Sequence, residues 1–298
     1  MHAVSVLTVA LLVALNIIFY TCQTFFNKLY SNAYQGAPSA ATPVFSLVYG
    51  LIVGLSTLAC TGFAFAPSQI TWTLGLVNGL MLFLFNLGMI QAARTGPYSF
   101  QSIIMLFGCV LPPLLFATLV WGDTLSGLQL AGIAFVLVSF VVINCKGLRL
   151  KNVKKSFFGW VALVFLTNGL YSIIMDAQQR LAMKTEKTEM IVITFLTSAL
   201  ISVVYLLLTQ KGKSLSSFAM GRKAALFAVF SSISAAAAVN MIMYLLGLVQ
   251  MTVLYAIENG SILVLSILLS AVVLKEKLEK HTLVGIALGL LGIVLLSL

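Results

Sequence analysis

Charge is scarce in this sequence. Of 298 residues only 17 are Lys or Arg and 7 are Asp or Glu, so charged residues make up 8% of the chain. Soluble domains carry about 25%. A chain this poor in charge and 61% hydrophobic does not read as a cytosolic enzyme, a disordered segment or a nucleic-acid module. Histidine is nearly absent as well. His2 and His281 are the two present, both at helix edges, which argues against a zinc centre or a His-based triad. The four cysteines, Cys22, Cys60, Cys109 and Cys145, lie inside apolar runs without a CxxC spacing. They read as small buried hydrophobes rather than metal ligands or disulfide partners. There is no Walker A sequence, no DDxxD-like acidic cluster and no nucleophile elbow, so ATP-driven pumping by this chain is not expected. No metal and no cofactor is expected either.

Long apolar runs fill the space. Bounded by charge, Pro or Gly, they predict ten transmembrane helices at 4–27, 42–64, 72–93, 98–121, 127–145, 157–180, 189–209, 223–246, 251–274 and 281–297. A span needs about 20 apolar residues, and lipid tolerates no open backbone, so the fold class is all-α integral membrane. The runs are too long and too uniformly apolar for barrel strands. Residues 37–40 could pass for a signal-cleavage site, but no Lys or Arg precedes the first run. That run also exceeds a signal-peptide core of roughly 7–15 residues, and it is read as a retained first span. The remaining third of the chain is too little for a separate soluble domain.

The basic residues then set orientation rather than a phosphate-binding face. With the 146–156 loop inside, 14 Lys and Arg fall on the cytoplasmic side, and Arg180, Lys184 and Lys187 are the 3 outside. This positive-inside bias places both termini on the non-cytoplasmic side of the cell membrane.

The two halves of the chain resemble each other. At an offset of 152, Asn16 meets Asn168, Phe19 meets Tyr171, Asn27 meets Gln179 and Lys28 meets Arg180. At 153, Asp123 meets Glu276, Leu125 meets Leu278 and Gly132 meets Gly285. The domain reading is a first five-helix repeat over 1–145, a basic cytoplasmic linker over 146–156 and a second repeat over 157–298. Five helices is an odd number, so the copies enter the membrane from opposite sides. Inverted repeats are a transporter architecture, with the substrate near the midplane.

Two segments carry a family resemblance. Trp121-Gly122-Asp123-Thr124-Leu125-Ser126 followed by Gly132, and Lys275-Glu276-Lys277-Leu278 followed by Gly285 and Gly289-Leu290-Leu291-Gly292, resemble the C-terminal half of an EamA repeat. The whole chain resembles the ten-helix members of the drug/metabolite transporter superfamily. Asp123 stands where Glu is usual, Lys275 where Gly is usual, and the helix-4 Pro-Pro pair, Pro112-Pro113, has no counterpart in helix 9. The resemblance implies a transporter without fixing its substrate, since relatives move amino acids, sugars, nucleotide sugars, phosphorylated metabolites and drugs.

Two carboxylates, Asp176 and Glu258, lie inside predicted spans rather than at their first residue. A charge in hydrocarbon costs a few kcal/mol or more and marks a functional position by default. Tyr255, Glu258 and Asn259 share a face of helix 9. Glu258 is the candidate to bind a substrate amine or a coupling proton, against a structural hydrogen bond to Asn240 or Tyr244. Asp176 is a second proton-coupling candidate, although Arg180 four residues on makes a structural pair equally natural. Helix 1 carries Asn16, Tyr20, Gln23 and Asn27 in one stripe, and helix 6 repeats it with Asn168, Tyr171, Ser172 and Gln179. Such a stripe lines a pathway or glues helices. Asn78, Asn86, Gln91, Gln101 and Ser102 are weaker additions. Asp123, Glu276 and Glu279 read as caps or hairpin braces.

The functional expectation is a secondary transporter of a small, neutral or cationic, amino acid-like solute, with proton-coupled export as one form. Its partners are that solute and the bilayer, with no nucleic acid, and the protein is a monomer or homodimer. The alternatives are an integral-membrane enzyme and a non-transporting membrane subunit.

Overall fold

The computed structural model describes the chain apart from residues 1–5, 37–39, 148–153, 183–184, 210–219, 274–278 and 297. His2, most of the cleavage-like 37–40 stretch, the centre of the 146–156 linker, Lys184 and the Lys275–Leu278 motif lie outside the described residues.

Ten α-helices follow the apolar runs: α1 Val6–Ala33, α2 Ala41–Cys60, α3 Gln69–Thr95, α4 Tyr98–Leu119, α5 Gly127–Asn144, α6 Lys155–Leu181, α7 Lys187–Thr209, α8 Arg222–Leu245, α9 Met251–Val273 and α10 Lys280–Leu296. Among the described residues, nine are long and apolar enough to cross a bilayer; α10 is a shorter apolar helix. The chain is a multi-pass, all-α membrane protein.

Ends are set by local chemistry. Gly96-Pro97 separates α3 from α4, with Pro97 extended at φ −73°, as expected of a residue that cannot continue a helix ladder. α2 stops four residues before its apolar run does, because Gly62 and Phe63 turn to φ 63° and 64°. α1 instead runs on past Lys28 to Ala33. There Tyr30 donates its hydroxyl to Ala41 O at 2.6 Å and packs its ring, tilted, against Phe45, so aromatic packing extends the helix beyond its apolar run. The N-cap of α5 is Ser126, not the acid at 123. Ser126 Oγ accepts from Gln129 N and Gln129 Oε1 accepts from Ser126 N, at 3.1 and 3.0 Å, a reciprocal capping box.

Packing divides the chain into two compact units, each drawing on both halves of the chain. The first comprises Met1–Leu87 and Ile174–Gly247, the second Gly88–Ile173 and Leu248–Leu298. In the first unit α1 packs on α8, and α2 on α7 and α8. In the second α5 packs on α10, while α4 and α10 pack on α9. Lipid gives helices no hydrophobic reason to associate, so close backbone approach through small residues does the work. Gly132 of α5 and Gly292 of α10 show it reciprocally: a Cβ on either would lie 2.8 Å from the other's carbonyl oxygen. Ser139 Oγ adds a hydrogen bond to Gly285 O at 2.8 Å across the same pair.

Candidate functional site

The polar residues singled out in the sequence fall into the two units. Tyr255, Glu258, Asn259, Asn168, Tyr171 and Gln101 belong to the second, and Asn16, Tyr20, Gln23 and Asp176 to the first.

In the second unit α4 is the common support. Gln101, Met105 and Cys109 follow one another at helical spacing along it. Gln101, with no exposed surface, donates from Nε2 to Met89 O at 2.7 Å. Met105 O accepts from Asn168 Nδ2 of α6 at 2.7 Å. The Cys109 thiol lies within electrostatic reach of the Glu258 carboxylate of α9. Thus Asn168 and Glu258 meet α4 one turn apart. Glu258 is only 4% exposed. Cys109 itself belongs to an apolar cluster with Leu106, Val110, Val136, Val253 and Ala256. Pro112 and Pro113 lie inside α4; lacking N–H groups, they leave Gly108 O and Cys109 O without their usual ladder partners. An acceptor carbonyl of this kind suits a protonated carboxyl or a substrate N–H. Asn259 Nδ2 turns back to Tyr255 O at 2.9 Å, and Tyr255 is buried while Tyr171 is half-buried. The suggested structural partners of Glu258 have their own engagements. Asn240 uses its Nδ2 hydrogens on Thr57 Oγ1 and Ala236 O, both at 2.8 Å, and Tyr244 carries the Lys187 ammonium 4.5 Å over its ring.

In the first unit the polar stripe of α1 is tied into the helix packing along part of its length. Gln23 Nε2 donates to Tyr49 OH of α2 at 3.1 Å. Ser231 Oγ of α8 lies 3.0 Å from Asn27 Oδ1 and 3.1 Å from Gln23 O. Asn16 is buried and Tyr20 half-buried. Asp176, 1% exposed, accepts from Arg180 Nε at 2.8 Å. That pair neutralises the carboxylate inside α6.

One polar group escaped the sequence reading. Glu186, in the turn before α7, accepts at Oε2 from Ser68 N and Ser68 Oγ at 2.9 and 2.8 Å. Ser68 Oγ in turn accepts from Thr71 N at 3.3 Å. Gln178 Nε2 holds Glu186 O at 2.9 Å. Hydrogen bonds from Thr71 and Ser68 keep the Glu186 carboxyl below its usual value against a smaller opposing effect of burial. The signal was the anion-seeking start of α3 at Pro67-Ser68, whose partner lies 118 residues away. In the second unit Glu279 pairs with Lys146 and with His281 Nδ1 at 3.3 Å. Lys146, with a smaller contribution from His281, lowers its carboxyl, and the pair braces the end of α5 to the start of α10.

Apolar helices carrying buried amides and carboxylates define a polytopic membrane protein whose interior is built to meet polar groups. Twenty-nine chains of solved structures match the fold. One, described only as the crystal structure of a protein, superposes with a TM-score of 0.74 over 98% of this chain and 96% of its own, at 17% identity. No curated protein matches the chain. Residues 158–298 match the model of the EamA-like transporter family. That match points to a membrane transporter of small solutes rather than an enzyme.

Proposed function

We propose that the protein is a secondary transporter that moves a small neutral or cationic, amino acid-like solute across the cell membrane by alternating access, with proton-coupled export as its working mode. The observation that carries this reading is Glu258: a carboxyl 4% exposed in an apolar helix, beside Cys109. Desolvation opposes its charged form and makes proton uptake at this position energetically accessible. When deprotonated, the carboxylate binds the solute's cationic group; when protonated, it releases it. Gln101, Asn168 and Tyr255 supply neutral hydrogen-bonding groups for the rest of the solute. Asn16, Tyr20, Gln23, Tyr171 and Asn259 extend the polar lining. Asp176 is the lesser proton carrier, because Arg180 holds its charge. The proposed orientation puts both termini outside, and the working unit is a monomer or homodimer.

The test is flux in liposomes loaded with pooled amino acids, sugars, nucleosides and polyamines, under a pH gradient and then its reverse. Selective movement of one solute class is expected, and Glu258→Gln should remove both the pH dependence and most of the gradient-driven flux. Full transport by Glu258→Gln with an unchanged pH profile would end the proton-coupling role.

A further inference from the structure

Polar side chains inside these helices have a common local solution. Thr21, Thr73, Thr118, Thr167 and Thr209 each donate to the carbonyl four residues back. Asn144, Asn240 and Asn259 do the same with their amides. Asn78 of α3 and Thr194 of α7 depart from this habit. Both have no exposed surface. Asn78 Nδ2, Asn78 Oδ1 and Thr194 Oγ1 have no hydrogen-bond partner among the described residues. An unmet buried polar group costs about 1–3 kcal/mol.

The two residues belong to one helix crossing. A Cβ on Gly75 would lie 2.7 Å from Ile193 Cγ2, and one on Gly79 would lie 2.6 Å from Thr197 Cβ and 2.7 Å from Thr194 O. α3 and α7 therefore run in the same direction here, almost backbone to backbone. At roughly 100° per residue, Asn78 lies about 60° around α3 from Gly75, on the Thr71 side. By the same geometry Thr194 lies about 100° around α7 from Ile193, nearly opposite Leu196, which meets Gly54 of α2. For parallel helices these offsets put both side chains on the same side of the crossing. The end of α6 covers that side, where Gln178 Nε2 reaches Thr71 Oγ1 at 3.4 Å.

Three unmet buried atoms on the same side of one crossing specify their ligand. Nδ2 needs an acceptor, Oδ1 needs a donor, and Oγ1 serves as either. A bare cation would leave Nδ2 unmet, and an anion would leave Oδ1 unmet. We propose that Asn78 and Thr194 form a binding point for a neutral hydroxyl group, held between α3 and α7. The hydroxyl belongs either to a trapped water, which typically makes about three hydrogen bonds, or to a hydroxylated solute. This point is independent of Glu258.

The test is a thermal-stability cycle on the full-length protein in lipid nanodiscs, using Asn78→Leu, Thr194→Val and the double variant. A shared bridging group predicts that each single change lowers Tm by several degrees and that the double change lowers it no further than the larger single one. Thr194→Ser, which keeps the hydroxyl, should stay near the parent value; together with Thr194→Val it preserves the test if Asn78→Leu does not fold. Repeating the scans with D-glucose and with glycerol separates the sources. A rise in the parent protein beyond that in Asn78→Leu assigns the hydroxyl to the solute, and equal rises assign it to water. Additive changes of either sign, or variants as stable as the parent, would overturn the proposal.

Discussion

At the scale of single residues, the protein handles its acids in different ways. Asp176 has a guanidinium at 2.8 Å, an arrangement that fixes a charge in place. Glu258 is almost fully buried and lies within electrostatic reach of the Cys109 thiol, an arrangement in which burial, rather than a guanidinium, is the feature on view. Glu186 is a third case, held charged by donors at the start of α3, where the helix dipole also favours an anion. Because its carboxyl is depressed in the folded protein, its stabilisation is present above the ordinary carboxylate range and is lost as pH falls through and below that range. Glu186→Gln should therefore lower Tm by a few degrees at neutral pH, with the difference from the parent shrinking as the pH falls below the ordinary carboxylate range. Melting curves across pH would check this; a constant difference at all pH values would show that hydrogen-bond geometry, not charge, makes the contact. Of these three acids, Asp176 and Glu258 were readable from the sequence because a charge inside an apolar run is conspicuous. Glu186 was not, because its role depends on a loop meeting a helix start far away in the chain.

Helices are held by glycine-lined crossings rather than by greasy interlocking. α7 meets two such faces in the first unit, Gly50 and Gly54 of α2 and Gly75 and Gly79 of α3. Placing a methyl group at Gly79, 2.6 Å from Thr197 Cβ, forces apart backbones that cannot yield cheaply. Gly79→Ala should cost about 1–3 kcal/mol of stability. Gly159 of α6 has nothing within 4 Å of its Cβ direction, and Gly159→Ala should instead gain about 0.5–1 kcal/mol through helix propensity. Scanning fluorimetry on both variants measures the contrast, and equal effects would refute the packing argument. Helix positions were legible because apolar length is a one-dimensional signal. Helix partners were not. Nothing in the order of residues says that Gly132 faces Gly292, and the α1 stripe read equally well as lining or as glue until Gln23 was found on Tyr49 and Asn27 beside Ser231.

For the molecule as a whole, the basic residues make a prediction about sidedness that its own cysteines can test. Cys60 and Cys145 are exposed, Cys22 is partly covered and Cys109 is buried. The charge distribution puts Cys60, at the end of α2, outside and Cys145, at the end of α5, inside. In a protein with Cys22 and Cys109 replaced by Ala, a membrane-impermeant maleimide should label Cys60 on intact cells. Cys145 should react only after permeabilisation. The reverse pattern would invert the topology.

The pairing of α1 with α8, α2 with α7 and α5 with α10 also has a consequence in time. Chains emerge from the ribosome at about 5–20 residues per second. The 189 residues separating Val6 from Leu245 at their nearer helix ends, Ala33 to Arg222, therefore impose a wait of roughly 10–40 s. For that interval α1 lies in the bilayer with Asn27 apart from its eventual neighbour Ser231, while the glycine face of α2 waits a shorter time, for α7. The first half of this protein is thus a client before it is a component, and the cell's insertion machinery must shelter it until the second half arrives.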